Sequence, residues 1–148
     1  MGPCLFIDLF SNILVPLDGS KPSEKALKSA IDIARKYQSK LLLLHVVSPI
    51  VEARWSTPAI AAAQKEREKI GRRILSSASK QAASFGIELR EILVHGNPAE
   101  QILKASDTHQ AALIVIGSRG LSGIKTFFIG SVSSRVCRYA KCPVLLVK

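Results

Sequence analysis

LIVIGSRGLSGIKTFFIGSVS, from Leu113 to Ser133, is the stretch from which the rest of the chain is best read. It opens on four apolar residues, Leu113-Ile114-Val115-Ile116, short enough and β-branched enough for a strand buried on both faces. Gly117 ends that strand and Gly120 follows three residues later. After nine more residues comes Gly130-Ser131, where an amphipathic pattern begins with Val132, Val136 and Ala140 on one face. The order is strand, glycine-bearing loop, helix N-terminus. Glycine lets backbone N–H groups approach a ligand without a Cβ in the way, and the first helical turn offers unpaired donors and a partial positive charge. Ser131 and Ser133 add hydroxyls to that turn, and Arg119 adds a cation between the first two glycines. A phosphate group suits such a turn.

Outward from this stretch, strands and helices alternate. Asn12 to Asp18 reads as the first strand, apolar through Ile13, Leu14 and Val15, with Pro16 near its carboxyl end, where a ladder donor is least needed. Ser20 is placed to cap a helix, Pro22 suits its opening turn, and Leu27, Ala30, Ile31 and Ala34 form one stripe running to about Tyr37. Leu41 to Val47 is apolar almost throughout, as in a strand covered on both faces. His45 interrupts it and reads as a satisfied core group, since neither His95 nor His109 stands at a spacing that completes a metal site. Ser48 to about Pro58, containing Trp55, is the longest irregular stretch, suited to a lid or an interface.

From Ala59 to Phe85 the residues Ile60, Ala63, Ile70, Ile74, Ala78, Ala82 and Phe85 recur at helical spacing, Gln64 to Lys69 form the solvated face, and Gly86 is placed as the cap. Gly71 inside this pattern costs about 1 kcal/mol relative to alanine, which points to a kink or a close approach. Ile87 to Val94 begins with apolar–polar alternation and is the candidate edge strand. Gly96-Asn97-Pro98 turns into a short helix with Ile102 and Leu103 inward, ending near Thr108. A helix from about Ser131 to Tyr139 and a last strand, Val144 to Val147, complete the pattern. The alternation predicts an α/β fold with a doubly wound five-stranded parallel sheet and helices on both faces, the winding reversing once.

The spacing G-x2-G-x9-G-S/T after a strand resembles the nucleotide loop of the universal stress protein family, in its ATP-binding branch. Ile13-Leu14-Val15-Pro16-Leu17-Asp18-Gly19-Ser20, Leu44-His45-Val46 and Cys142-Pro143-Val144-Leu145-Leu146-Val147 are similar to that family's strand motifs, in the same order. Residues 1–11 fall outside the resemblance and read as an N-terminal extension, leaving residues 12–148 as the nucleotide-binding domain. The resemblance implies strand order 3-2-1-4-5.

At 148 residues and 47% hydrophobic content the chain is one domain with ample material for a core. A formal charge of +10 favours anionic partners. The lysines and arginines are spread from Lys21 to Lys148 and do not interleave with aromatic residues as a stacking platform needs, which argues against nucleic acid as a partner. Cys4, Cys137 and Cys142 have no metal-ligand spacing and suit a reduced, cytoplasmic setting, with Cys137 and Cys142 as small core fillers. The apolar N-terminal run lacks a basic flank, carries Asp8 and is too short to span a bilayer, so no membrane attachment is expected.

In an open α/β sheet the ligand lies beyond the carboxyl ends of the strands, where the winding reverses. Pro16-Leu17-Asp18 should therefore face Gly117-Ser118-Arg119-Gly120. The Asp18 carboxylate repels a triphosphate and belongs at the sugar end; the bland alternative is that it only caps the following helix. The backbone around Leu17 and Val46 is placed to flank adenine, and Gly130-Ser131-Val132-Ser133 to hold phosphates. The family's ATP contacts match these positions by resemblance. Magnesium or manganese would be held mainly through the phosphates.

Gly123-Ile124-Lys125-Thr126 misses the P-loop pattern by the inserted Ile124, and no G-x-G-x-x-G follows the first strand. No carboxylate pair or Cys/His couple is placed for acid–base or nucleophilic work. The expected function is an ATP-binding stress-response protein, a nucleotide-dependent switch or accessory. A slow ATP hydrolase or phosphotransferase is the alternative, and an interaction module without nucleotide a third reading. A homodimer paired through the wholly apolar last strand is also expected, as is common in the family.

Overall fold

The structure, a computed structural model, describes residues 10–50, 57–120 and 129–148. Its elements follow the chain as β1 (Asn12–Pro16), α1 (Lys21–Tyr37), β2 (Lys40–Val47), α2 (Pro58–Ala83), β3 (Leu89–His95), α3 (Pro98–Thr108), β4 (Leu113–Gly117), α4 (Ser131–Tyr139) and β5 (Val144–Val147). The five strands form one parallel sheet in the order β3-β2-β1-β4-β5. The winding therefore reverses between β1 and β4, as expected. Cys4, the loop around Trp55 and the Gly123–Thr126 near miss lie outside the described residues.

Alternation along the central strands builds two cores from the same segments. Ile13 and Val15, Leu41 and Leu43, and Leu113 and Val115 point to the face covered by α1 and α2, where Leu27, Ile31, Leu75 and Ala78 meet them. Leu14, Leu42, Leu44, Ile114 and Ile116 point to the other face, against Ile102 and Ala105 of α3 and Val136 of α4. Burying each such side chain stabilises the fold by roughly 1.5–3 kcal/mol. Phe10 packs edge-on against Tyr37 with ring centroids 5.0 Å apart, extending the first core.

Some local expectations give way to packing. β1 ends at Pro16 rather than Asp18, because the chain beyond it bends into the turn that starts α1. The apolar stripe predicted for α2 holds at Ala78 and Ala82, which are buried, and at Ile74, which packs on the first core, but Ile70 and Phe85 are 45% and 51% exposed, and Gly71 and Leu75 are buried instead. Two overlapping stripes exist in that sequence, and the one containing glycine wins because the sheet surface beneath it carries the His45 ring. Gly71 is thus a point of close packing. Gly86 is not the cap itself: Ser84 takes that position in right-handed helical geometry, and Gly86 follows at φ +72°, donating to the Ala83 carbonyl at 2.9 Å. β3 consequently starts at Leu89, beyond this turn, at the predicted edge. Cys137 is exposed rather than a core filler, whereas Cys142 packs on the second core.

Candidate functional site

A cleft of about 380 Å³ opens beyond the carboxyl ends of β1, β2 and β4, at the reversal of winding. This volume falls within the usual range for small-ligand sites. Of the residues expected there, Pro16, Leu17, Asp18, Val46, Gly117, Arg119, Gly120, Gly130, Ser131, Val132 and Ser133 line it. Ser118 does not. Its backbone N–H donates to the Val147 carbonyl at 2.8 Å and its carbonyl accepts from the Gly130 N–H at 2.7 Å, so it is a buried strut that ties the loop to β5 and to α4.

On the β1 side the turn stabilises itself. Asp18 Oδ1 accepts the Ser20 N–H at 2.9 Å, and Ser20 Oγ in turn accepts the Ser23 N–H at 3.3 Å, capping α1. Gly19 bends the chain at φ +84°. The capping reading of Asp18 therefore holds for one oxygen only. Its other oxygen lies against the opposite rim, where a Cβ added to Gly120 would come within 2.8 Å of Oδ2.

The β4 side is made of backbone. Gly117 has a structural duty, since a Cβ there would lie 2.7 Å from the Pro22 carbonyl carbon and prevent β4 from meeting the start of α1. Gly130 has no such constraint: its φ is −57°, and an added Cβ would sit at ordinary contact, 3.4 Å from the Ser118 oxygen. As the residue preceding α4 it supplies no side-chain cap. The other helices are each capped by a side chain, from Ser20, Thr57 and Asn97. The first turn of α4 consequently turns its backbone donors toward the cleft without a side-chain acceptor of its own. Ser131 is exposed there. The Ser133 hydroxyl, expected to face a phosphate, is instead buried and donates to the Gly117 carbonyl at 2.6 Å; burial makes pairing with the nearby carbonyl the cheaper arrangement.

Ser23, Leu44, His45, Ser48, Pro98, Ile102 and Ile116 also line the cleft and were not anticipated. Leu44 and Ile116 sit near strand ends, a position that sequence could have flagged once the register was known. Pro98 and Ile102 arrive from the start of α3, and only the crossover after β3 places them there. Among the described residues no cluster of three or more His, Cys, Asp or Glu side chains could hold a metal ion, and no helix is long and apolar enough to cross a membrane.

A model of the universal stress protein family matches residues 9–148. The universal stress protein YxiE of Bacillus subtilis is 37% identical over 148 residues, covering 95% of this chain and all of the relative. The structure of the universal stress protein UspA from Lactobacillus plantarum superposes with a TM-score of 0.82 at 25% identity, over 94% of this chain and 98% of that one. That of a universal stress protein from Archaeoglobus fulgidus in complex with dAMP does so with a TM-score of 0.66 at 27% identity, over 95% and 99%.

Proposed function

The chain belongs to the universal stress protein family, and we propose that within it this protein binds ATP in the cleft at the winding reversal, acting in the cytoplasm as a nucleotide-dependent switch or accessory of a stress response. One observation carries the reading: a single carboxylate, Asp18, lines the same cleft as a helix start, Gly130–Ser133, that has no side-chain cap. Such a cleft is polarised. Its α4 end attracts phosphate oxygens, and its Asp18 end repels them and accepts sugar hydroxyls. Leu17, Val46, Pro98 and Ile102 supply the apolar surface suited to a base. The dAMP-bound neighbour supports a nucleotide as the ligand class.

A divalent cation would be held through the phosphates and water, because Asp18 is the lone carboxylate lining the cleft among the described residues. The site holds a nucleotide rather than transforms it. Asp18 and His45, the carboxylate and the imidazole lining the cleft, each already serve a structural hydrogen bond. A homodimer formed through β5 completes the proposal: β5 ends the sheet, and Leu145 on it is 39% exposed. Sedimentation at micromolar concentration should give the mass of two chains, and a one-chain mass would count against it.

Calorimetry with ATP and magnesium, AMP and NAD tests the ligand. Binding of both adenine mononucleotides with NAD much weaker is expected; equal affinity for NAD and ATP would overturn the assignment. Phosphate release followed over days would expose a slow hydrolase, and the proposal expects none beyond the buffer rate.

A further inference from the structure

Besides its own capping bonds, the Leu17–Asp18 rim is braced from behind. The Leu17 N–H donates to the Leu44 carbonyl at 2.8 Å, and the Leu17 carbonyl lies 2.7 Å from His45 Nδ1. A carbonyl oxygen only accepts, so Nδ1 must carry the proton. The ring that makes this bond is pressed between the rim and helix α2. A Cβ on Gly71 would collide with His45 Cδ2 and stand 2.9 Å from both His45 Nε2 and Leu93 Cδ1. Glycine in the interior of a long helix is unfavourable by about 1 kcal/mol, and here it makes room for the imidazole.

Gly71 is joined by two other residues of α2 that touch the back of the cleft among the described residues. Arg67 Nη1 donates to the Ser48 carbonyl at 3.0 Å, and Ile74 packs against the turn after Asp18, with its Cδ1 3.1 Å from where a Cβ on Gly19 would be. Positions 67, 71 and 74 fall on one stripe of the helix. We propose that His45 is a positioning residue for the nucleotide: through the Leu17 carbonyl it fixes the peptide that presents Asp18 to the sugar, and Gly71 of α2 sets the place of its ring. This rests on the nucleotide reading of the cleft. It adds that affinity depends on a side chain acting through backbone and on a helix residue that does not line the cleft.

The test is ATP affinity by calorimetry, with magnesium, on the full chain, alongside the thermal midpoint and the 15N shifts of the His45 ring. His45→Ala should weaken ATP binding about tenfold, the loss expected of one buried hydrogen bond. His45→Asn keeps a donor close to the Nδ1 position and should recover most of that loss. Gly71→Ala should weaken binding several-fold while improved helix propensity offsets part of any stability cost. The unmodified protein should show the Nδ1-protonated tautomer. Wild-type affinity in His45→Ala or Gly71→Ala, an Asn variant as weak as the Ala variant, or an Nε2-protonated ring would overturn the proposal. Failure of the unmodified protein to bind any adenine nucleotide would instead overturn the nucleotide reading, and this inference with it.

Discussion

The two rims of the cleft solve opposite problems with similar local sequences. Asp18-Gly19-Ser20 and Gly130-Ser131 both lead from a bend into a helix, yet α1 is closed by its own side chains and α4 is not. The Ser20 hydroxyl and the Asp18 carboxylate occupy donors at the start of α1. At the start of α4 a residue without a side chain leaves the equivalent donors for something else. A helix dipole attracts anions only where its N-terminal groups remain accessible, so the rims differ in what they can bind although both are helix starts.

The largest expected effect comes from filling the open rim. Gly130→Val should abolish detectable ATP binding, since an added Cβ points at the Ser118–Gly120 backbone, 3.4 Å from the Ser118 oxygen, and the branched side chain would displace the loop that closes the phosphate end, while the thermal midpoint falls by only a few degrees. The backbone there is at φ −57°, which valine can adopt. A variant that folds and binds like the wild type would place the phosphates elsewhere. Gly117→Ala should do the reverse. Overpacking against Pro22 costs typically 1–3 kcal/mol, seen as a lower midpoint in thermal denaturation, and a variant of unchanged stability would contradict the close approach.

Serines sharpen the contrast at smaller scale. Ser131→Ala should reduce ATP affinity by about 1–2 kcal/mol, one hydrogen bond to a charged group, with stability unchanged. Ser20→Ala should cost about 1 kcal/mol of stability through loss of the α1 cap, leaving affinity nearly intact. If both serines affected affinity alone, the distinction between a closed and an open rim would fail. The smallest effect belongs to the edge of α2 that meets the end of β3, where Glu68 lies 3.5 Å from His95. There the hydrogen bond from Arg72 holds the Glu68 carboxyl below its ordinary value of 4.5, with burial opposing and the charges of Arg72 and His95 assisting. A lowered folded-state pKa gives stability that is present above the ordinary value and fades as the pH falls through the lower one. Because solvent reaches the pair, with the Arg72 side chain 66% exposed, Glu68→Gln should leave the midpoint near pH 7 and the ATP affinity unchanged. A measurable loss of affinity would show that this face is coupled to the cleft more strongly than its geometry implies.

Much of this was legible along the chain. The Leu113–Ile116 run, the glycine spacing and the alternation of strand and helix carry the fold class and the location of the cleft, because hydrophobic period and glycine placement are local properties. The strand order came from the resemblance, and the sheet has that order. The roles of individual residues were less legible. Ser133 looks like a ligand-facing hydroxyl in sequence, but the Gly117 carbonyl accepts its proton, and Ser118, expected at the rim, has its backbone bonded to Val147 and Gly130. Residues separated along the chain by about a hundred positions, such as Asp18 and Gly120, share a rim only after β1 and β4 have paired.

What the sequence by itself determined is the set of elements and the place where they leave room: apolar periods define strands and helices, and a reversal of winding leaves a crevice. What only the tertiary structure decided is which residues of α2 are buried beside Ala78 and Ala82, which glycine serves packing, and which way the Ser133 hydroxyl turns. Those outcomes depend on the nearest atoms from distant segments, the His45 ring under Gly71 and the Pro22 backbone over Gly117. Close-packed interiors resolve such choices at the scale of a single methyl group, which no one-dimensional pattern records.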